Sequence, residues 1–127
     1  MVLPLLESDL LTVMQATTNG CLAETEVRFA DKHACCVILA SNGYPTSYKK
    51  GFEMSFTEEA LAHTYIAGAK LDGGKLVTSG GRVTGTTAIA DSLEEAIKEA
   101  YRLSDGVKFE GAYRRSDIGQ RALQALK

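Results

Sequence analysis

The chain has 127 residues, 45% hydrophobic and 24% charged, the size and composition of one globular domain rather than of a disordered or fibrous chain. Fourteen Lys and Arg against sixteen Asp and Glu leave a net charge of −2, so no bulk basic excess drives binding to nucleic acid or to an anionic membrane, and neither is an expected partner. No apolar run approaches the roughly 18 residues needed to span a bilayer.

The opening MVLPLLESDLLTVM lacks a basic n-region, and Glu7 and Asp9 interrupt its apolar run, which argues against a secretory signal. Cys21, Cys35 and Cys36 form no CxxC pair and leave one thiol over under any internal pairing, the pattern of a reduced, cytoplasmic chain.

In chain order, Ser8 is the expected cap of a helix over Ser8 to Thr18 that stops at Asn19-Gly20. The run Ala34 to Ala40 (ACCVILA) reads as a buried strand, with Cys35 and Cys36 on opposite faces as core residues rather than a redox pair. Ser41 to Pro45 is a turn, and Thr57 caps a single helical turn in FTEEALAH. Thr64 to Leu71, Lys75 to Thr78 and Arg82 to Ala90 read as strands joined at Asp72-Gly73-Gly74 and Gly80-Gly81, an antiparallel meander. Ser92 and Glu95 form a capping box for a helix whose Leu93, Ala96, Ile97, Ala100 and Tyr101 share one face before Gly106 ends it. Val107 to Tyr113 is a last strand. Asp117 with Gln120 starts a terminal helix carrying Ile118, Ala122, Leu123 and Leu126. The strands near Ala34 to Ala40, Thr64 to Leu71 and Arg82 to Ala90 are expected in one sheet. This is an α+β unit, helices packed on a small antiparallel sheet.

Few residues suggest chemistry. His33 and His63 lie far apart without acidic or thiol neighbours at ligand spacing, and no GxSxG occurs, so neither a metal site nor a catalytic residue is assigned. The stretch GAKLDGGKLVTSGGRVTG matches neither GxxxxGK[ST] nor GxGxxG. Within it, Arg82 follows Gly80-Gly81, where small residues let the backbone approach a ligand and a guanidinium offers a planar fork to phosphate. An anion site and a solvated turn arginine both fit that pattern.

The strings ASNGYPTSYKKG, AGAKLDGGKLVTSGGRVTGTTAIADSLEEAIKEAY and FEGAYRRSDIGQRAL, in this order and spacing, resemble the C-terminal domain of the phosphoribosylamine-glycine ligase (glycinamide ribonucleotide synthetase) family. The resemblance runs from about Val2 to Leu123, and its most specific elements are the central GGRV and the terminal YRRSDIG. Asn42 stands where a lysine or glycine is frequent in that family, and Thr84 and Thr86 where aliphatic residues are usual. The resemblance implies an ATP-grasp ligase C-terminal domain of the rudimentary hybrid motif type, in an enzyme of purine biosynthesis that makes glycyl phosphate from ATP and glycine for attack by phosphoribosylamine. Residues 1–22 would be the last helix of the ATP-grasp core and 23–127 the C-terminal domain. The ATP lid and the acidic residues for Mg²⁺ (or Mn²⁺) would lie in upstream domains of the same polypeptide, so the chain alone is expected to hold no cofactor and to be inactive. Its implied role is to close over the active site and grip the phosphate of 5-phosphoribosylamine through Arg82, with Gly80 and Gly81 as the backbone approach and Lys70 and Lys75 as secondary contacts. Arg114 and Arg115 pair with Asp117 or cap the last helix as readily as they touch substrate. The competing reading is a stand-alone α+β module whose Gly-Gly-Arg turn binds a phosphorylated metabolite or a protein partner.

Overall fold

The computed structural model describes residues 1–125. The N-terminal segment holds a 3₁₀ turn at Leu3–Leu5, helix α1 (Leu10–Asn19) and a second 3₁₀ turn at Leu22–Glu24. It is tied to the chain before the first strand by a bridge between Leu6 and Phe29 and by the Ala30 N–H donating to the Leu5 carbonyl at 2.8 Å. The cap of α1 is Asp9, not Ser8: the Asp9 carboxylate accepts from the Thr12 N–H at 2.7 Å. The Ser8 hydroxyl is engaged elsewhere, accepting from the Arg28 N–H at 2.7 Å.

Strand β1 (His33–Ser41) forms where ACCVILA predicts it, followed by β2 (Ser55–Phe56), α2 (Glu58–Ala62), β3 (Thr64–Ile66), β4 (Ala69–Asp72), β5 (Lys75–Thr78) and β6 (Arg82–Ala90). Thr57 caps α2 as expected, its hydroxyl accepting from the Ala60 N–H. Helix α3 (Leu93–Ser104) has the Ser92 hydroxyl accepting from the Glu95 N–H at 3.2 Å. The chain finishes with β7 (Val107–Lys108), β8 (Ala112–Tyr113) and α4 (Gln120–Ala125).

The main sheet has the order β3-β6-β1-β8, all neighbours antiparallel. Its long central strands β1 and β6 carry α3 on one face, where Cys35, Val37 and Ala88 meet Ala96, Ile97, Ala100 and Leu103, with Leu93 packed against them. A second core cluster joins Leu39 and Val83 to Met54, Ala60, Val107 and Phe109 beneath α2 and the β2–β7 pair. Between β1 and β6 the register shifts by one residue: Leu39 faces Thr84 but Ala40 faces Arg82, leaving Val83 as a β-bulge.

Two expected strands divide. Thr64 to Leu71 is two strands in different sheets, because the chain breaks at Gly68, where a Cβ would fall 2.8 Å from the Gly80 α-carbon and whose carbonyl accepts from the Ser79 and Gly80 N–H groups. The meander is therefore absent: β4 and β5 form their own hairpin across Gly73-Gly74, and β6 pairs with β3 and β1 instead of β5. Val107 to Tyr113 likewise splits, one half pairing with β2 and the other with β1. Asp117 does not cap the last helix through its side chain, which binds Arg115, and α4 starts at Gln120. Leu126 lies outside the described residues.

Candidate functional site

Opposite α3 the sheet is open. Alternation along β1 puts Cys36, Ile38 and Ala40 on that face, while Cys35, Val37 and Leu39 enter the core. With the turn after β1 and the segment after β8 they bound a cleft of about 940 Å³, its rim carrying Tyr44, Pro45, Arg82, Tyr113 and residues 114–118.

Arg82 reaches this face because of the bulge. In an uninterrupted strand it would share the face of Thr84, which is enclosed at 0% exposure; the extra residue lets Val83 and Thr84 both turn inward and sends Arg82 to the other side, level with Ala40. The turn before it is held on two flanks. Ser41 donates from its N–H to the Gly81 carbonyl (2.8 Å) and from its hydroxyl to the Gly80 carbonyl (2.9 Å). A Cβ on Gly81 would fall 2.1 Å from the Tyr44 ring, so the ring occupies the space that glycine leaves. Among the described residues the Arg82 guanidinium has no carboxylate partner within 4 Å.

The other predicted residues are placed differently. Lys75 pairs with Glu53 at 2.8 Å on the β4–β5 hairpin, and Lys70 lies exposed on the facing strand of that hairpin. Neither lines the Arg82 cleft. The α-carbons of Gly80 and Gly81 face Gly68 and Tyr44, so their small size serves close packing within the chain.

The YRRSDIG segment forms the opposite wall, organised by Tyr101 of α3. The Tyr101 hydroxyl donates to the Arg115 carbonyl at 2.7 Å and accepts from the Ile118 N–H at 3.0 Å. Arg114 stacks on the Tyr101 ring, binds Ser104, and pairs with Asp105 at 2.6 Å. Arg115 forms two parallel hydrogen bonds to Asp117, at 2.7 and 2.6 Å. The Arg115 guanidinium holds the Asp117 carboxyl below the ordinary carboxylate range, so this exposed pair stays intact through that range and is lost only as pH falls further, through the lowered value. Both arginines are thus paired locally, and among the described residues Arg82 is left as the cleft's cation without a carboxylate partner. A guanidinium in a cleft with an apolar floor suits an anionic group on a small molecule.

Burial pushes the Cys35 thiol up, which keeps it protonated and inert at neutral pH. His33 and His63 are exposed. Among the described residues no three His, Cys, Asp or Glu side chains gather as a metal site, and no helix is long and apolar enough to cross a membrane. Sequence reasoning missed Tyr44, Ala40 and Tyr113 as cleft residues. Their motifs were visible, in ASNGYP and YRRSDIG, but the pairing that unites them was not.

The sequence model of the family described as "Phosphoribosylglycinamide synthetase, C domain" matches residues 34–121. The chain is 49% identical over 118 residues to a phosphoribosylamine–glycine ligase of Caldanaerobacter subterraneus subsp. tengcongensis, covering 92% of this chain and 28% of that protein. It is 48% identical to a bifunctional purine biosynthetic protein of Pichia angusta, covering 97% of this chain and 16% of the relative. A crystal structure of phosphoribosylamine–glycine ligase from Thermotoga maritima superposes with a TM-score of 0.63 at 44% identity, over 67% of this chain and 21% of that one. The chain thus spans under a third of the length of these relatives. With the α+β architecture, a family match across most of the sheet and α3, and identities near one residue in two, the chain belongs to the phosphoribosylglycinamide synthetase C-domain family.

Proposed function

We propose that the chain works as the C-terminal part of a cytoplasmic, ATP-dependent ligase joining glycine to 5-phosphoribosylamine in purine biosynthesis, where it helps close the active site and grips the substrate phosphate through Arg82. Residues 1–22 would be the last helix of the ATP-grasp core, packing on upstream domains of the same polypeptide. The observation that carries the reading is Arg82 itself: the bulge at Val83 turns it into the cleft, and among the described residues it has no carboxylate partner there. The relatives' names support the reaction. ATP and a divalent cation would bind upstream. Among the described residues the acidic side chains form no group that would hold a metal. What this chain supplies is binding and closure: a planar pair of donors for a phosphate, and a cleft wall that excludes water from it.

The test is steady-state kinetics on the complete ligase carrying Arg82→Lys and Arg82→Ala, each substrate varied in turn. A charge-assisted hydrogen bond to phosphate contributes about 1.5 to 3 kcal/mol. Arg82→Ala should therefore lower kcat/KM for phosphoribosylamine roughly 10- to 150-fold. Arg82→Lys, which keeps the charge but loses the fork, should fall between it and the parent. ATP and glycine should stay within about twofold. A rise mainly in the KM for ATP would make Arg82 a nucleotide contact and overturn the assignment.

A further inference from the structure

The register places a second ligand-binding group opposite Arg82. Ala40 of β1 is the direct partner of Arg82 on β6 and of Tyr113 on β8. Directly opposed residues of an antiparallel sheet point to the same face, so Arg82, Ala40 and Tyr113 form one row across three strands, and all three line the cleft. Neighbouring strands are spaced about 4.8 Å, which sets the backbones at Arg82 and Tyr113 about 10 Å apart. The central residue of the row is a single methyl group. A large side chain on each outer strand and a methyl between them make a notch open to solvent.

The two walls differ in chemistry. Arg82 is a cation with no carboxylate partner among the described residues, whereas Tyr113 carries a phenol and is more than half exposed, at 55%. Its hydroxyl has no hydrogen-bond partner within the chain among the described residues, in contrast to Tyr101, whose hydroxyl both donates and accepts. The Tyr44 ring is committed to Gly81, and Arg114, Arg115 and Asp117 are committed to ion pairs. The polar groups aligned across the notch are therefore one that suits a dianion and one that suits a neutral hydroxyl. We propose that Tyr113 is a substrate-binding residue: its phenol bonds a sugar hydroxyl of the same molecule whose phosphate is held by Arg82, so that the notch reads a phosphorylated pentose rather than a phosphate alone. This rests on the Arg82 reading above and adds to it the group that recognises the sugar.

The experiment uses the complete ligase with Arg82→Ala, Tyr113→Phe and Tyr113→Ala, measuring KM for phosphoribosylamine, ATP and glycine together with Tm. Tyr113→Phe removes only the hydroxyl and should raise the KM for phosphoribosylamine roughly 3- to 10-fold, the worth of one neutral hydrogen bond. Tyr113→Ala should raise it at least as much. In both, ATP and glycine should stay within about twofold and Tm should be unchanged, because Tyr113 lies outside both core clusters. Tyr113→Phe at the parent's level while Arg82→Ala is impaired would overturn the role of Tyr113 and leave Arg82 standing. Arg82→Ala at the parent's level would overturn the phosphate reading itself. Equal loss for all three substrates, or a fallen Tm in the Tyr113 variants, would mark a structural residue and also overturn the proposal.

Discussion

Thr84 and Thr86 stand in adjacent inward positions of β6, where aliphatic side chains would be usual, and their hydroxyls have different surroundings. Thr64 donates to the Ala60 carbonyl at 2.6 Å and lies 2.9 Å from the Thr86 hydroxyl, so Thr86 is the donor of that second bond. The Thr84 hydroxyl is enclosed with no partner among the described residues, as is that of Thr87. A buried, unsatisfied hydroxyl costs about 1 to 3 kcal/mol, and replacing it with an isosteric methyl removes the penalty. Thr84→Val should accordingly leave stability unchanged or raise it by about 1 kcal/mol, while Thr86→Val should lower it by about 0.5 to 1.5 kcal/mol. Urea unfolding at equal m-values measures both. A Thr84→Val variant that lost more than Thr86→Val would show that the Thr84 hydroxyl has a partner after all.

Helix α3 supports the cleft from behind, because the side chains that bury it also position the wall beyond. Ile97 packs into the core with Cys35, Val37 and Ala88. Its far side meets Gly119, in the turn leading into α4. A Cβ on Gly119 would lie 2.4 Å from the Ile97 Cδ1, and the residue has φ +82°, where a side chain is strained in any case. Ile97→Ala should cost about 2 to 5 kcal/mol. Gly119→Ala should cost more than the 1 to 2 kcal/mol or so of left-handed strain alone, because the clash adds to it. In the Ile97→Ala background the clash is gone, so the added cost of Gly119→Ala should fall toward the strain. A double-mutant cycle by chemical denaturation reads the difference directly, and strict additivity would mean that the two residues do not touch in solution.

At the scale of the whole molecule, the N-terminal segment and the sheet domain are buried to very different extents. In α1 only Ala16 is buried, whereas Leu10, Leu11 and Met14 are 42%, 62% and 58% exposed. In α3, five residues are buried, from Ala96 to Ser104. A ten-residue helix is marginal in water without tertiary packing, so in the 127-residue chain the amides of α1 should exchange with deuterium much faster than those of α3. Exposed leucine and methionine should also favour self-association at high concentration, which Leu11→Gln with Met14→Gln should weaken in light scattering without changing the unfolding midpoint. Protection in α1 equal to that in α3, together with a strict monomer, would show that α1 is fully packed within this chain. Fast exchange is what the proposed role of α1, packing on an upstream ATP-grasp core, requires of the isolated chain.

Elements whose cause is local were legible in the residues. ACCVILA is a continuous apolar run too short for a typical buried helix and so reads as a buried strand, and Ser92 with Glu95 marks the start of α3 because a hydroxyl three residues before an N–H can reach it. The α+β class and the Gly-Gly-Arg turn follow from the same short-range chemistry. Ser8 and Asp9 were harder to separate, since either side chain can cap a helix; the choice was made by Arg28, distant in sequence, whose N–H engages Ser8. Pairing was beyond local reach. Nothing in Thr64 to Leu71 says that its two halves belong to different sheets, because the break is made by Gly68 meeting Gly80 across the fold. The site depends most on such long-range facts. Arg82 could be singled out from its neighbours, but its direction is set by a one-residue bulge against β1, and Tyr113 becomes its counterpart only because β8 pairs at Ala40. A side chain's face in a sheet alternates with period two, so one inserted residue reverses it, and where that residue falls depends on the partner strand and the turns as well as on the strand's own apolar pattern.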